Sequence, residues 1–168
     1  MGEDLPGAVS VLQLKSDRRL DQTDWQQLWL AAGHSTHPCR DRCLLQLFWH
    51  VGPTVSTTVA LRLEQIDFLT SCLRGAAANG AAVRMAPELL RSLSTYVSLE
   101  RPARGGPTLF VGRHGRPLRP EAIDRAFRAM SAASGVAADP QRLRRQALLR
   151  QLAARPVATL RQLRPRTV

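Results

Sequence analysis

The chain has 168 residues, 44% of them apolar and 5% aromatic, which is enough to bury one core of ordinary size. Twenty-four basic residues stand against 13 acidic ones, a formal charge of +11 with Lys15 the only lysine, and that balance favours an acidic partner, above all nucleic acid, because clustered guanidinium groups bind phosphates bidentately. No run of 18 apolar residues exists to cross a bilayer, Met1 to Asp4 lack the start of a signal peptide, and Cys39, Cys43 and Cys72 are too few for a disulfide framework, so a cytoplasmic protein is expected.

Residues 1 to 20 read as a mobile N-terminal arm or a short strand, with one apolar cluster, Val9, Val11, Leu12 and Leu14. A single domain is expected from residue 21 to residue 168. Asp21 or Thr23 can cap a helix in which Trp25, Leu28, Trp29 and Ala32 recur at helical spacing, and Gly33 ends it. From Pro38 the next helix opens on Arg40, Asp41 and Arg42, and Leu44, Leu45, Leu47, Phe48, Trp49 and Val51 are too dense for a surface helix. Gly52-Pro53 stops it, and Ser56, Thr57 or Thr58 can cap a shorter helix carrying Val59, Leu61, Leu63 and Ile66 on one side.

After Asp67 the period becomes extended. Residues 68–74 and 81–85 flank a Gly75-to-Gly80 loop containing Asn79-Gly80, which predicts a β-hairpin. Pro87 starts a helix with Leu89, Leu90, Leu93 and Val97 inward. Leu109-Phe110-Val111 reads as a short strand between two basic Pro/Gly loops, and Glu121 to Ser134 as a helix with Ile123, Phe127 and Met130 inward, ended by Gly135. Asp139 to Val168 holds eight arginines and a single acid, with Leu148, Leu149, Leu152 and Ala153 on one helix and Thr159 to Leu163 on the next.

His34, His37, Cys39 and Cys43 invite a zinc reading. Against it, Pro38 starts a helix among them, Cys43 falls on the apolar face and no CxxC knuckle occurs, so no metal and no cofactor are expected. His50 reads as a packed or capping group and His114 as a solvent-exposed loop residue.

The segment from Arg40 to Asp67 resembles the start of the catalytic domain of tyrosine recombinases, the phage integrase family. Arg40-Asp41-Arg42 stands where that family has RDR, Gly52 where it has the glycine of TGLR, and Ala60 to Asp67 where it has ALRWEDID. Leu109 to Arg119 is similar to its LFxxxxGxPLS segment, and Gln141 to Arg145 to its HxLRH. The resemblance implies a mainly α fold with a small antiparallel β-sheet, an α+β arrangement like that domain's. At the family's catalytic positions Thr54 replaces the first arginine, Gln141 and Arg145 replace the histidines, Ala76 to Asn79 offer no lysine, and Arg144 alone matches. The only tyrosine, Tyr96, lies in an earlier helix, and the chain ends before the family's nucleophile.

The expectation is therefore that the chain is not an enzyme and has no small-molecule substrate. It is expected to bind DNA in an accessory or regulatory role, through Arg113, Arg116, Arg119, Arg142, Arg144 and Arg145 on backbone phosphates. The alternative is a protein-interaction module on the same fold, with another protein donating a helix to a groove that the family fills in that way.

Overall fold

Among the described residues the first helix opens on a capping residue. In the computed structural model, which describes residues 18–77 and 79–154, Asp21 caps helix α1 (Gln22–Gly33) by accepting from the Asp24 N–H, and the Asp24 carboxylate returns the bond to the Asp21 N–H. Arg18 bridges both carboxylates, at 3.0 and 2.8 Å. Leu28 and Ala32 put the apolar stripe of α1 inward. The expected arm and Val9 to Leu14 lie largely outside the described residues, as does Thr159 to Leu163.

Helix α2 (Pro38–His50) is the hub. Cys43, Leu44, Leu45, Leu47 and Phe48 are all 0% exposed, so the helix is enclosed on more than one face, and α1, α4 (Pro87–Thr95), the turn that continues α4 (Tyr96–Glu100) and α6 (Pro140–Ala153) pack around it. Its first turn carries a largely buried Arg40–Asp41 ion pair at 2.8 Å, and the Arg40 N–H donates to Glu100. Phe48 meets Phe127 edge to face, with centroids 5.4 Å apart.

Helix α3 (Val55–Ala60) is shorter than expected. Thr54 caps it, but the chain leaves the helix at Leu61 and passes through a 3-10 turn (Leu63–Gln65) into β1 (Ile66–Asp67), so Leu63 and Ile66 are not on a helix with Val59. The hairpin exists with shorter strands: β2 (Cys72–Leu73) pairs antiparallel with β1 and with β3 (Val83–Arg84), in the register Ile66↔Leu73↔Val83. Asp67 takes Phe68 to Thr70 out of the ladder, because its carboxylate accepts from the Leu69 and Thr70 N–H groups. The expected strand at Leu109 to Val111 is only bridged, Thr108 to Arg62 and Val111 to Pro117.

Helix α4 (Pro87–Thr95) runs on as a π-helical turn (Tyr96–Glu100), after which α5 (Pro120–Ser134) ends at Gly135 with φ +70° and α6 (Pro140–Ala153) is capped by Asp139. One side chain gathers the loop between Arg101 and Leu109. The Arg101 guanidinium donates to the carbonyls of Pro102, Gly106, Thr108 and Leu109. Among the described residues no helix is long and apolar enough to cross a membrane.

Tyr96 is 1% exposed and its hydroxyl accepts from the buried Val111 N–H at 3.1 Å. Burial pushes its pKa up to about 12, and burial also raises the Cys43 thiol. Both acids are neutral in the folded state and ionise more readily unfolded, so their contribution is complete below the unfolded pKa and is lost as pH rises. Stability should therefore fall from about pH 9 as unfolded Cys43 ionises, and further above about pH 10 as unfolded Tyr96 does. Denaturant melts across this range should show the second phase missing in Tyr96→Phe. At neutral pH that variant should lose about 1–3 kcal/mol for the orphaned Val111 N–H.

Candidate nucleic-acid interface

Three elements converge on a cleft of about 280 Å³: the α2–α3 turn with Thr54 and Thr57, the hairpin loop with Ala76, Ala77 and Asn79, and α6 with Arg144, Leu148 and Gln151. The turn allows this. Gly52 has φ +68°, and a Cβ there would lie 2.9 Å from the Ala147 Cβ and 3.2 Å from the Arg144 carbonyl oxygen, so only glycine lets α6 lie against it. The other end of α6 caps α2: Gln151 Nε2 donates to the His50 and Val51 carbonyls at 3.2 and 3.1 Å, and Arg150 donates to the Trp49 carbonyl while stacking 4.0 Å over its ring.

Within the cleft Arg144 is half-buried, and its Nε–H is inaccessible to water and has no hydrogen-bond partner among the described residues. Thr54 Oγ accepts from the Thr57 N–H at 3.0 Å and donates to Thr57 Oγ at 2.8 Å, which leaves the Thr57 hydroxyl hydrogen for another acceptor. One guanidinium, one hydroxyl and the Asn79 amide thus face a single depression, a set that suits an oxyanion better than a metal. Among the described residues no three His, Cys, Asp or Glu side chains are placed to hold a metal ion. His50 is half-buried, and burial holds its imidazole below the ordinary range.

The sequence-derived arginines divide into three groups. Arg144 is in the cleft and Arg145 is exposed beside it in sequence. Arg142 is elsewhere: it is 7% exposed and donates to the carbonyls of Ala137 and Arg18, tying α6 to the segments before it and before α1. Arg113, Arg116 and Arg119 line a separate open depression of about 420 Å³ with His114 and Arg125. Of the positions read as replaced, Thr54 lines the cleft, while Gln141 and Arg145 are exposed on the first turns of α6. Gln151 was not singled out by sequence reasoning; its signal is a spacing of seven residues, two helical turns, from Arg144.

Over residues 18–159 the chain matches the phage integrase family. Tyrosine recombinase XerC of Chromobacterium violaceum is 32% identical over 116 residues, 67% of this chain and 39% of that protein, and XerC of Chlamydia caviae is 34% identical over 104 residues, 58% and 33%. A crystal structure of XerA recombinase superposes with a TM-score of 0.71 at 19% identity, covering 96% of this chain and 56% of that one, which bears out the mainly α fold with its small antiparallel sheet. The chain thus spans about two fifths of the length of the first of these relatives.

These matches correct the expectation that the chain is not an enzyme. Its relatives over the same residues are named tyrosine recombinases, and no observation shows that this chain has lost catalysis. That expectation weighed side chains within a stretch that the relatives exceed more than twofold in length.

Proposed function

Because the chain belongs to the phage integrase family, we propose that residues 21–168 form one DNA-gripping domain acting in DNA recombination, with Arg144 seated on a backbone phosphate at the centre of the contact. The observation that carries this reading is the Arg144 guanidinium, half-buried on the wall of a cleft with no carboxylate within ion-pair distance among the described residues. A partly desolvated charge without a counter-charge is costly, and a phosphate oxygen supplies an acceptor together with the opposite charge. Thr57 offers the same oxygen a second donor. Arg145, and Arg113, Arg116 and Arg119 in the second depression, extend the contact along the backbone, which fits an accessory role in positioning DNA with weak sequence preference.

The test is a titration of labelled duplexes of unrelated sequence at several salt concentrations. Affinity should fall steeply with salt, by a log–log slope of about 0.9 per phosphate neutralised. Arg144→Glu should weaken every sequence alike, by about tenfold or more. Absence of binding at low salt would leave the second reading, a protein-interaction module. Leu149 and Leu152 favour that alternative, 44% and 59% exposed on the outer face of α6 and able to receive a partner's helix.

A further inference from the structure

Gln46 interrupts the most apolar run of the chain, and the structure makes the interruption conspicuous. The residue is 5% exposed, and its Oε1 is buried with no donor to satisfy it among the described residues. A carboxamide oxygen stripped of water and left unpaired destabilises the fold unless something else supplies the hydrogen bond. The side chain lines a cavity of about 260 Å³ between α1, α2 and α4, which shares no lining residue with the Arg144 cleft.

The rest of the lining is chemically sorted. Arg42 lies 4.7 Å over the Trp29 ring with its Nε donating to the Trp29 carbonyl, in space left open by Gly33, where a Cβ would come within 2.2 Å of the guanidinium. Neither Arg42 nor Arg91 has a carboxylate within ion-pair distance among the described residues, and Glu88, also on the rim, has no cation within that distance. Pro38, Cys39 and Trp29 supply apolar surface. The cavity is therefore lined by two guanidinium groups without a carboxylate partner among the described residues, a carboxylate, the Gln46 side chain with its orphaned Oε1, and an apolar wall.

We propose that this cavity binds a free α-amino acid with an apolar side chain. Arg42 and Arg91 hold its carboxylate, Gln46 Oε1 and Glu88 take its ammonium, and its side chain lies along Pro38, Cys39 and Trp29. The volume is below the roughly 300 Å³ at which ordinary ligand pockets begin, so the occupant is compact. A nucleotide fits the charges less well, because its phosphate meets Glu88 and leaves Gln46 Oε1 without an ammonium.

The test is calorimetric titration and thermal shift of the full chain with free leucine, isoleucine, methionine and phenylalanine. N-acetyl and methyl-ester forms of the same amino acids and deoxynucleoside monophosphates serve as comparators. Saturable binding of at least one free amino acid is expected. Acetylation removes the ammonium and esterification the carboxylate, so each should weaken binding about tenfold or more. Arg42→Met and Gln46→Met should weaken it similarly, while leaving DNA affinity unchanged. The proposal is overturned if none of the four binds to the wild-type chain below about 10 mM, if the blocked forms bind as well as the free ones, or if a nucleotide is preferred. None of these outcomes depends on the DNA-binding reading.

Discussion

Truncation of Phe48 to alanine should lower the unfolding free energy by about 3–5 kcal/mol, the usual loss when a fully buried aromatic ring leaves a cavity that its neighbours only partly fill. Phe48 is 0% exposed, and its ring edge meets Phe127 on α5, so the substitution removes hydrophobic burial and an aromatic contact that helps hold α2 to α5. A urea melt should show a lower midpoint with an unchanged slope. Leu69→Ala is the matching control: Leu69 is 98% exposed, and its loss should move stability by less than about 0.5 kcal/mol. Equal effects in the two variants would mean that α2 is not the centre of the core.

Gly52→Ala should be nearly as damaging and should also reach the DNA. A methyl group at φ +68° costs roughly 1–2 kcal/mol, and the close approach of α6 requires a backbone shift costing about 1–3 kcal/mol more. The shift falls on Ala147 and the backbone of Arg144. DNA affinity, measured below the melting transition, should therefore drop together with stability. A variant that is destabilised but binds DNA normally would show that the contact does not depend on how Arg144 is seated against the turn.

Much of the framework could be read from the residues because local chemistry decides it. Asp21, Gly135 and the prolines at 38 and 87 mark helix ends by capping or by fixed φ, and the density of leucine in α2 marks its enclosure. Contacts distant in sequence were not legible. Arg142 and Arg144 look alike in an arginine-rich stretch, yet one is buried against carbonyls of Ala137 and Arg18 while the other reaches the cleft, and neither the carbonyls nor the cleft can be read from α6 itself. The early end of α3 follows from β1 pairing with β2, a choice that the helical spacing of Val59 and Leu63 does not reveal. Gln46 was visible as the lone amide in LLQLF; its lack of a partner was not.

Arg101 works as a noncovalent staple. By gathering the carbonyls of Pro102, Gly106, Thr108 and Leu109 on one guanidinium, it closes a ring of backbone that has no helix or strand of its own, and so replaces the cross-link by which small loops are often held. A disulfide in that position would open and close with the redox state of its surroundings, whereas a guanidinium has no such chemistry. The loop's shape is thus insulated from that variable. It rests on a planar fork of donors, which lysine, with its single ammonium, cannot reproduce.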